Sequence, residues 1–512
     1  MGSTPPKCLV TLIRGPFIGP LGSLNNEPTP PIGLAYLAGS LKAAGFTVRG
    51  IDACGEALDQ ITPLPDGKLA YHGLGIEEII LRLDPETKVI GVSTMFSHEW
   101  NYYRQLITAL KKAFPNTVII AGGEHCTALT EYTLRDCPAL DYCALGEGEE
   151  TLVEFCEQVA RGENPKNTDG IAFLKEGQYI QNKRRARVKE IDRLPWPDWD
   201  SFPIRNYLDG GVGSGPSFGR SMPMVATRGC PYQCTFCSNP AMWSNKYYLR
   251  SVEDVLREIN FYRKKYDITG VQFYDLTAIV QKKWTLNFCE KLIEQNLELE
   301  WSLPSGTRSE ALDEEVLPQL WKANCKYLVY APESGSETTL RLIKKKINLK
   351  KMEQSIRTAI GCGIVVRTNM IIGFPHETRK NVWETLRMQI RFALMGVEEA
   401  PLYAFQPYPG TELFDYLLHK NMIQLNHDYF DSLCSLSTGR LSPPEGSYCE
   451  HVGRWELHLY RVFIGLFLTY FISYFFHPKR IFRTFKNIFS ADRSTTVLEQ
   501  RLKDKIRKMK LA

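Results

Sequence analysis

Two consecutive α/β domains followed by a helical tail form the architecture this sequence predicts. Three observations predict it. Short apolar runs alternate with helical stretches over 1–165 and again over 223–410. The runs lack strict polar alternation, as parallel strands covered on both faces do. After 411 the alternation stops, and an uncharged aromatic run is followed by a basic amphipathic one. A length of 512 residues exceeds one domain, while 44% apolar and 23% charged residues exclude wholesale disorder and collagen-like structure.

In the first series the strand candidates are 7–13, 47–52, 87–93, 117–121 and 140–145, with helices near 32–45, 76–83, 99–114 and 148–161. This order reads as an open, doubly wound Rossmann-type domain over 1–165, with ligands expected at the carboxyl ends of the strands. Residues 168–188 read as a small hairpin. Residues 190–222, with four prolines and GGVGSGPSFG, read as a linker or lid, so 166–222 separates the domains.

The second series has strand candidates at 223–227, 270–275, 299–303, 326–331, 364–372 and 398–405. Helices near 251–266, 283–296, 313–324, 349–362 and 378–395 separate them. Six βα units are too few for a closed eight-stranded barrel and suit a partial (β/α)6 barrel over 223–410. A mainly helical region, 411–512, completes the chain.

Net charge is +5, but from His477 onward 11 Lys/Arg face 3 Asp/Glu, so the basic character belongs to the tail. That balance points to a membrane surface before a nucleic-acid groove, and no nucleic-acid partner is expected. Met1–Pro6 is small and polar with no apolar segment behind a basic start, so a cytoplasmic protein with reduced thiols is expected.

Of 14 cysteines only Cys230, Cys234 and Cys237 form a tight group, in TRGCPYQCTFC after a strand. Three thiolates on one loop can hold three irons of a [4Fe–4S] cluster and leave the fourth open to a small ligand. A structural zinc site would want a fourth ligand, and no Cys or His follows until Cys289.

CPYQCTFC resembles the signature of the radical S-adenosylmethionine enzymes, with Phe236 in the aromatic position before the last cysteine. The resemblance covers roughly 220–420. It implies that the open iron chelates S-adenosylmethionine and that its one-electron cleavage gives a 5′-deoxyadenosyl radical. It also implies cofactor contacts for Asp275 (in QFYDLT, which departs from the family's GGE-like segment), Ser305 and Arg308 (PSGTRSE), and Glu333 and Ser334 (APESGSE). Gly373 in IIGFPHET and Pro409 in QPYPGTELF match further family segments.

Four amino-terminal segments resemble the cobalamin-binding domain of one branch of that family: PPIGLAYLAGSLKAAGF, VIGVSTMFS, AGGEHCTALTE and ALGEGEET. Gly122, Gly123, Gly146 and Gly148 at strand ends would let backbone N–H groups approach a bulky ligand. Ser93, Thr94 and Thr127 would add hydroxyls. Glu124, His125, Glu147 and Glu149 lie in the same segments. The loop 14–31 has no histidine of the D-x-H-x-x-G kind, so the resemblance implies cobalamin without a histidine beneath cobalt. His125 is either a corrin contact or a loop histidine satisfied by its neighbours.

Together these imply a radical enzyme with a [4Fe–4S] cluster, S-adenosylmethionine and cobalamin. The expected reaction is methylation of an unactivated carbon, or of phosphorus, in a lipid-like or secondary-metabolite substrate. The alternatives are an oxidative cyclase of the anaerobic magnesium-protoporphyrin monomethyl ester type and a corrinoid or redox sensor. A methylthiotransferase would want three more clustered cysteines and an RNA-binding barrel, and neither is apparent. A flavodoxin or ferredoxin would supply electrons.

The uncharged run 462–476 is 15 residues long. At 1.5 Å per residue it spans about 22 Å, short of the ~20 residues that cross a bilayer. A buried helix capping the barrel and an interfacial anchor remain as readings. The second predicts peripheral membrane contact through 462–489, since Ile481, Phe482, Phe485, Ile488 and Phe489 share a helical face.

Overall fold

The structure, a computed structural model, describes residues 8–22, 28–277, 279–434, 447–490 and 493–511; the side chains of 507–511 are not part of that description. Residues 23–27 of the loop 14–31, and the last side chains of the basic end, therefore lie outside it.

The first apolar runs become the parallel core of a seven-stranded sheet. Its order is Gln178–Gln181, Ile171–Lys175, Tyr142–Ala144, Val118–Gly122, Thr87–Ser93, Leu9–Arg14, Thr47–Asp52. The first two strands are the expected hairpin, which joins the sheet edge antiparallel to Tyr142–Ala144. Helices Ile32–Ala43, Ile76–Arg82, Trp100–Ala113 and Glu149–Ala160 cover the two faces. A small sheet of Phe17–Pro20, Leu69–His72 and Ile61–Pro63 was not anticipated, because its strands are short and lack alternation.

The second series builds a six-stranded, all-parallel sheet in chain order, from Ser221–Met224 through Gly270–Phe273, Glu300–Thr307, Cys325–Glu333 and Val365–Ile372 to Leu402–Ala404. The first and last strands do not pair, so the barrel stays partial. Val497, from the last helix, packs against Phe218, Tyr327 and Val329 at the foot of the strands. Glu399 accepts from the amides of Val497 and Leu498 and from the Tyr327 hydroxyl, fixing that helix end.

Two expectations are corrected. Residues 190–222 are not a free linker: they include helix Ile204–Gly210 and wrap the first domain. Trp199 and Tyr207 are buried, and the Tyr207 hydroxyl donates to Asp52 at 2.8 Å. Gly39 and Gly50 are needed there, since a Cβ would meet the carbonyls of Trp196 and Ser201 at 2.4 and 2.3 Å. The prolines punctuate a packed strap.

The second correction concerns length. The apolar run 462–476 is part of one helix, Arg454–Phe476, of 23 residues, long and apolar enough by length and composition to cross a membrane. Arg461 bounds the apolar run but does not interrupt the helix, which begins two turns earlier. Nor is the helix a buried cap, because one side packs on the barrel and the other is exposed.

Candidate functional site

The carboxyl ends of both sheets meet. Helix Glu124–Ala128, at the end of strand Val118–Gly122, packs on helix Asn239–Trp243, which directly follows Cys237. Gly410 closes the same junction: its φ is +77°, and a Cβ would meet Ala128 Cβ at 2.9 Å and Ala241 Cβ at 3.1 Å.

The cysteine loop is clamped by its backbone. Thr235 N–H donates to Ile343 O at 3.0 Å, Leu413 N–H donates to Thr235 O at 2.9 Å, and Asn239 Nδ2 donates to Cys230 O at 3.2 Å. Phe236 packs on Phe374, with ring centroids 5.6 Å apart, so it bridges to the GFP turn at the end of the fifth barrel strand. Burial raises the Cys234 thiol and pushes Cys237 up to about 12, and the neighbouring cysteines add to the rise at both. Thiolates here therefore need positive charge close by. Among the described residues no His, Cys, Asp or Glu side chains converge on a single-ion site. Thiols spaced along one loop fit a multi-iron cluster, whose irons spread the ligands, better than a single ion.

Around that loop the structure sorts the expected contacts. Arg308 is buried, stacks on Tyr232 at 3.6 Å, and bonds Lys346 O and Glu310. Its Nε is buried without a partner among the described residues, an orphan donor suited to a polar ligand. Glu333 stands at φ +65° and pairs with Lys345 at 3.0 Å. Ser305 lies at an irregularity in strand Glu300–Thr307. Gly373 turns at φ +88°, its N–H donates to Glu377 at 2.7 Å, and a Cβ there would strike Leu457 at 2.8 Å. Pro409 is buried in the loop beside Gly410.

Two barrel residues are turned to other tasks. Asp275 accepts from Ala226 N–H at 3.1 Å and from the Thr227 hydroxyl at 2.5 Å, and burial raises it to about 6. It staples strand ends together. Ser334 is fully buried and bonds Thr385 Oγ1 at 2.9 Å and Ser336 N–H at 3.1 Å, so it holds a turn.

The amino-terminal loops sort likewise. His125 is a core residue: its ring stacks on Trp100 at 4.6 Å, Nδ1 meets Ser97 Oγ at 3.0 Å and Nε2 meets Thr133 Oγ1 at 3.2 Å. Burial drives it down to about 3, so it is neutral and turned inward. Thr94 spends its hydroxyl on Gly122 O and Cys126. Thr127 donates to Gly123 O and accepts from Gly146 N–H. Gly123 is required by protein packing, since a Cβ would meet Thr94 O at 2.8 Å, and at Gly148 a Cβ would press on the Leu37 side chain at 3.0 Å. Gly146 needs its φ of +73°. Gly122 has room, with Ala144 Cβ at 3.4 Å, and Ser93 lies beside it in the neighbouring strand. Glu124 is pushed up to about 7 by burial, and its charge acts on Cys237 and Tyr408, which places it at the junction.

Glu147 and Glu149 do something the sequence did not disclose. Glu147 bonds Arg187 at 2.8 Å and Arg228 at 3.3 Å, and Glu149 bonds Arg228 at 2.6 Å. Arg228 stacks on Tyr36 at 4.8 Å and stands two residues before Cys230. All three are buried. Burial alone would lower the guanidinium, but Glu149, Tyr36 and Glu147 raise it. An arginine beside a cysteine motif carries no sign in the sequence of the carboxylates it meets 80 residues away.

The comparisons agree with this two-part site. The radical SAM superfamily model matches residues 224–388 and the B12-binding domain model matches 26–156. An uncharacterized methyltransferase of Pyrococcus horikoshii is 28% identical over 394 residues, 77% of this chain and 80% of the relative. An anaerobic magnesium-protoporphyrin IX monomethyl ester cyclase of Rubrivivax gelatinosus is 26% identical over 393 residues, 76% of this chain and 66% of the relative. The solved structure of the radical S-adenosylmethionine methyltransferase TsrM from Kitasatospora setae, with tryptophan substrate and a SAM analogue, superposes with TM-score 0.61 at 15% identity. It covers 80% of this chain and 76% of that one, and it shows the fold alone. The chain belongs to the cobalamin-binding radical S-adenosylmethionine enzymes. Its cofactors are a [4Fe–4S] cluster, S-adenosylmethionine and cobalamin.

Proposed function

We propose that the protein is a methyltransferase acting on an unactivated carbon, or on phosphorus, of a small lipid-like or secondary-metabolite substrate. One observation carries this reading: the ligand-side loops of the two domains share a wall, with Ala128 against Gly410 and Ala241, and Glu124 facing Cys237. A methyl carrier and a hydrogen-abstracting centre must reach the same substrate atom, and a common wall gives them that proximity.

Under this reading Cys230, Cys234 and Cys237 hold the cluster. Phe236, Ser305, Arg308, Glu333, Gly373 and Pro409 shape the S-adenosylmethionine site, with the orphan Arg308 Nε as a polar contact. Ser93, Gly122 and Glu124 face cobalamin. Asp275, Ser334, Thr94, Thr127, His125, Glu147 and Glu149 hold the walls. When bound, the cofactors supply radical hydrogen abstraction and the methyl group. The chain's part is to fix their separation and exclude water, which the buried Arg228 pairs and the Phe236–Phe374–Phe405 stack do. A flavodoxin- or ferredoxin-type donor, a cytoplasmic location and peripheral membrane contact through the carboxyl-terminal helices complete the proposal.

Anaerobic reconstitution with iron, sulfide and cobalamin, followed by product analysis on lipid and polar extracts, tests it. Methyl transfer yields S-adenosylhomocysteine and 5′-deoxyadenosine together with a methylated product. The second reading, an oxidative cyclase, is favoured by the cyclase relative. It yields deoxyadenosine without either methyl-transfer product.

A further inference from the structure

The helix Arg454–Phe476 has two unlike sides. Its inner side packs on helix Arg379–Met395 and strand Leu402–Ala404: Gly465, Thr469, Ile472 and Ser473 are buried. A Cβ on Gly465 would meet Leu402 Cβ at 2.8 Å, and Gln389 Nε2 reaches Gly465 O at 3.4 Å. On its outer side Trp455, Leu459, Phe463, Phe467, Phe471 and Phe475 recur at every fourth position, each 49–65% exposed. Four residues overshoot one α-helical turn, but the π-helical stretch Tyr460–Leu468 has a wider turn and keeps the stripe straight.

The stripe runs the height of the barrel wall. Leu457, at one end, lies against Gly373 at the site mouth. His477, at the other, lies beside Gly396 at the foot, where Arg480 Nη2 donates to Gly396 O at 2.5 Å. The next helix, Lys479–Phe489, exposes Ile481, Phe482, Phe485 and Phe489 at 52–78%.

Charge says what covers this surface. No Asp or Glu occurs between Glu456 and Asp492, whereas Arg461, Lys479, Arg480, Arg483 and Lys486 do. Arg480 and Arg483 pair with Glu398. Lys479 and Lys486 are exposed and make no ion pair among the described residues. Glu456, the one acid in the helix Arg454–Phe476, is ion-paired to Arg379 at 2.9 Å, so an aromatic ridge beside unpaired lysines complements an anionic lipid surface. Two copies paired through this face would bring cations together with no acid to neutralise them.

We infer that the protein seats side-on on an anionic bilayer through the Trp455–Phe475 stripe and the helix Lys479–Phe489, without crossing it, and holds its site mouth at the level of the interface. Crossing would strip the helix from the barrel wall and leave Leu402 and Gln389 uncovered. The inference deepens the membrane contact proposed above and is independent of the reaction type.

The test uses the full-length, cluster-loaded protein with vesicles of phosphatidylcholine alone or mixed with phosphatidylglycerol. The protein is expected to float with the mixed vesicles, to be released by alkaline carbonate, and to bind less at high salt. Phe482→Asp with Phe485→Asp, and separately Phe467→Ser with Phe471→Ser, should each weaken binding about tenfold or more, and Lys479→Glu with Lys486→Glu should remove the salt dependence. Failure to bind mixed vesicles overturns the seat. So does carbonate-resistant binding, which marks a spanning helix, or a dimer in solution that the phenylalanine substitutions dissociate, which marks a second copy. Iron–sulfur absorbance and deoxyadenosine formation are read on the same variants. If the variants keep both while their binding falls, the loss belongs to the seat and not to the fold; if the parent shows both yet does not bind mixed vesicles, the seat is wrong and the chemistry stands.

Discussion

Arg228 Nη2 lies 2.6 Å from Glu149 Oε1, so the residue two places before the first cluster cysteine is ion-paired to the cobalamin domain. With Glu147 and Arg187 it forms a buried charged bracket between the two halves of the site. Such a bracket ties the segment that leads into Cys230 to the first domain.

Arg228→Met should leave Glu149 buried without its partner, with Glu147 still held by Arg187, lowering stability by about 3 kcal/mol in denaturant unfolding. Arg228→Lys keeps the charge but loses the fork and should fall between. If the bracket sets cofactor spacing, both variants should form more deoxyadenosine per methylated product than the parent. An unchanged ratio in a folded Arg228→Lys protein would assign the bracket to stability alone.

Replacing Cys230, Cys234 or Cys237 by Ala should remove the iron–sulfur absorbance near ~400 nm and all reductive S-adenosylmethionine cleavage, because two thiolates no longer anchor the cluster against solvent. Cleavage surviving in the triple variant would contradict the assignment.

His125 should matter to stability and not to cobalamin. Its folded value, about 3, lies below the ordinary 6.5. A depressed value contributes stability that is present above 6.5 and lost as pH falls toward 3. By that linkage the protein should lose about 2 kcal/mol between pH 8 and pH 5 from this group, and His125→Gln should flatten that part of the profile. The cobalamin absorbance spectrum of the loaded variant should match the parent. A changed spectrum would make His125 a contact.

A fragment ending at residue 190 should fold poorly, because it lacks Trp199 and Tyr207, and Asp52 then loses the Tyr207 hydroxyl. A fragment ending at 212 restores these contacts and should bind cobalamin. Equal cobalamin binding by the two fragments would show that the strap is dispensable.

The sequence disclosed what periodicity and spacing encode. The parallel strands of both sheets stand within a few residues of their apolar runs, and the cysteine triplet lies where the strand and loop signals put it. It disclosed little of what depends on partners distant in the chain. His125, Thr94 and Ser334 look like ligand groups in a motif, yet each is saturated by its own domain. The glycines at 123 and 148 mark close approach, as small residues do, but to Thr94 and Leu37. The prolines of 190–222 signalled irregular backbone correctly and packing not at all. Burial decides between strap and linker, and burial is a property of the whole fold.

The most direct test is S-adenosylmethionine carrying an isotopically labelled methyl group, given to the reconstituted protein with cobalamin, reductant and a lipid extract. The account predicts labelled methyl on an extracted product, with one S-adenosylhomocysteine and one 5′-deoxyadenosine formed for each methyl transferred. Deoxyadenosine accumulating with an unlabelled, oxidised product and no S-adenosylhomocysteine would contradict it.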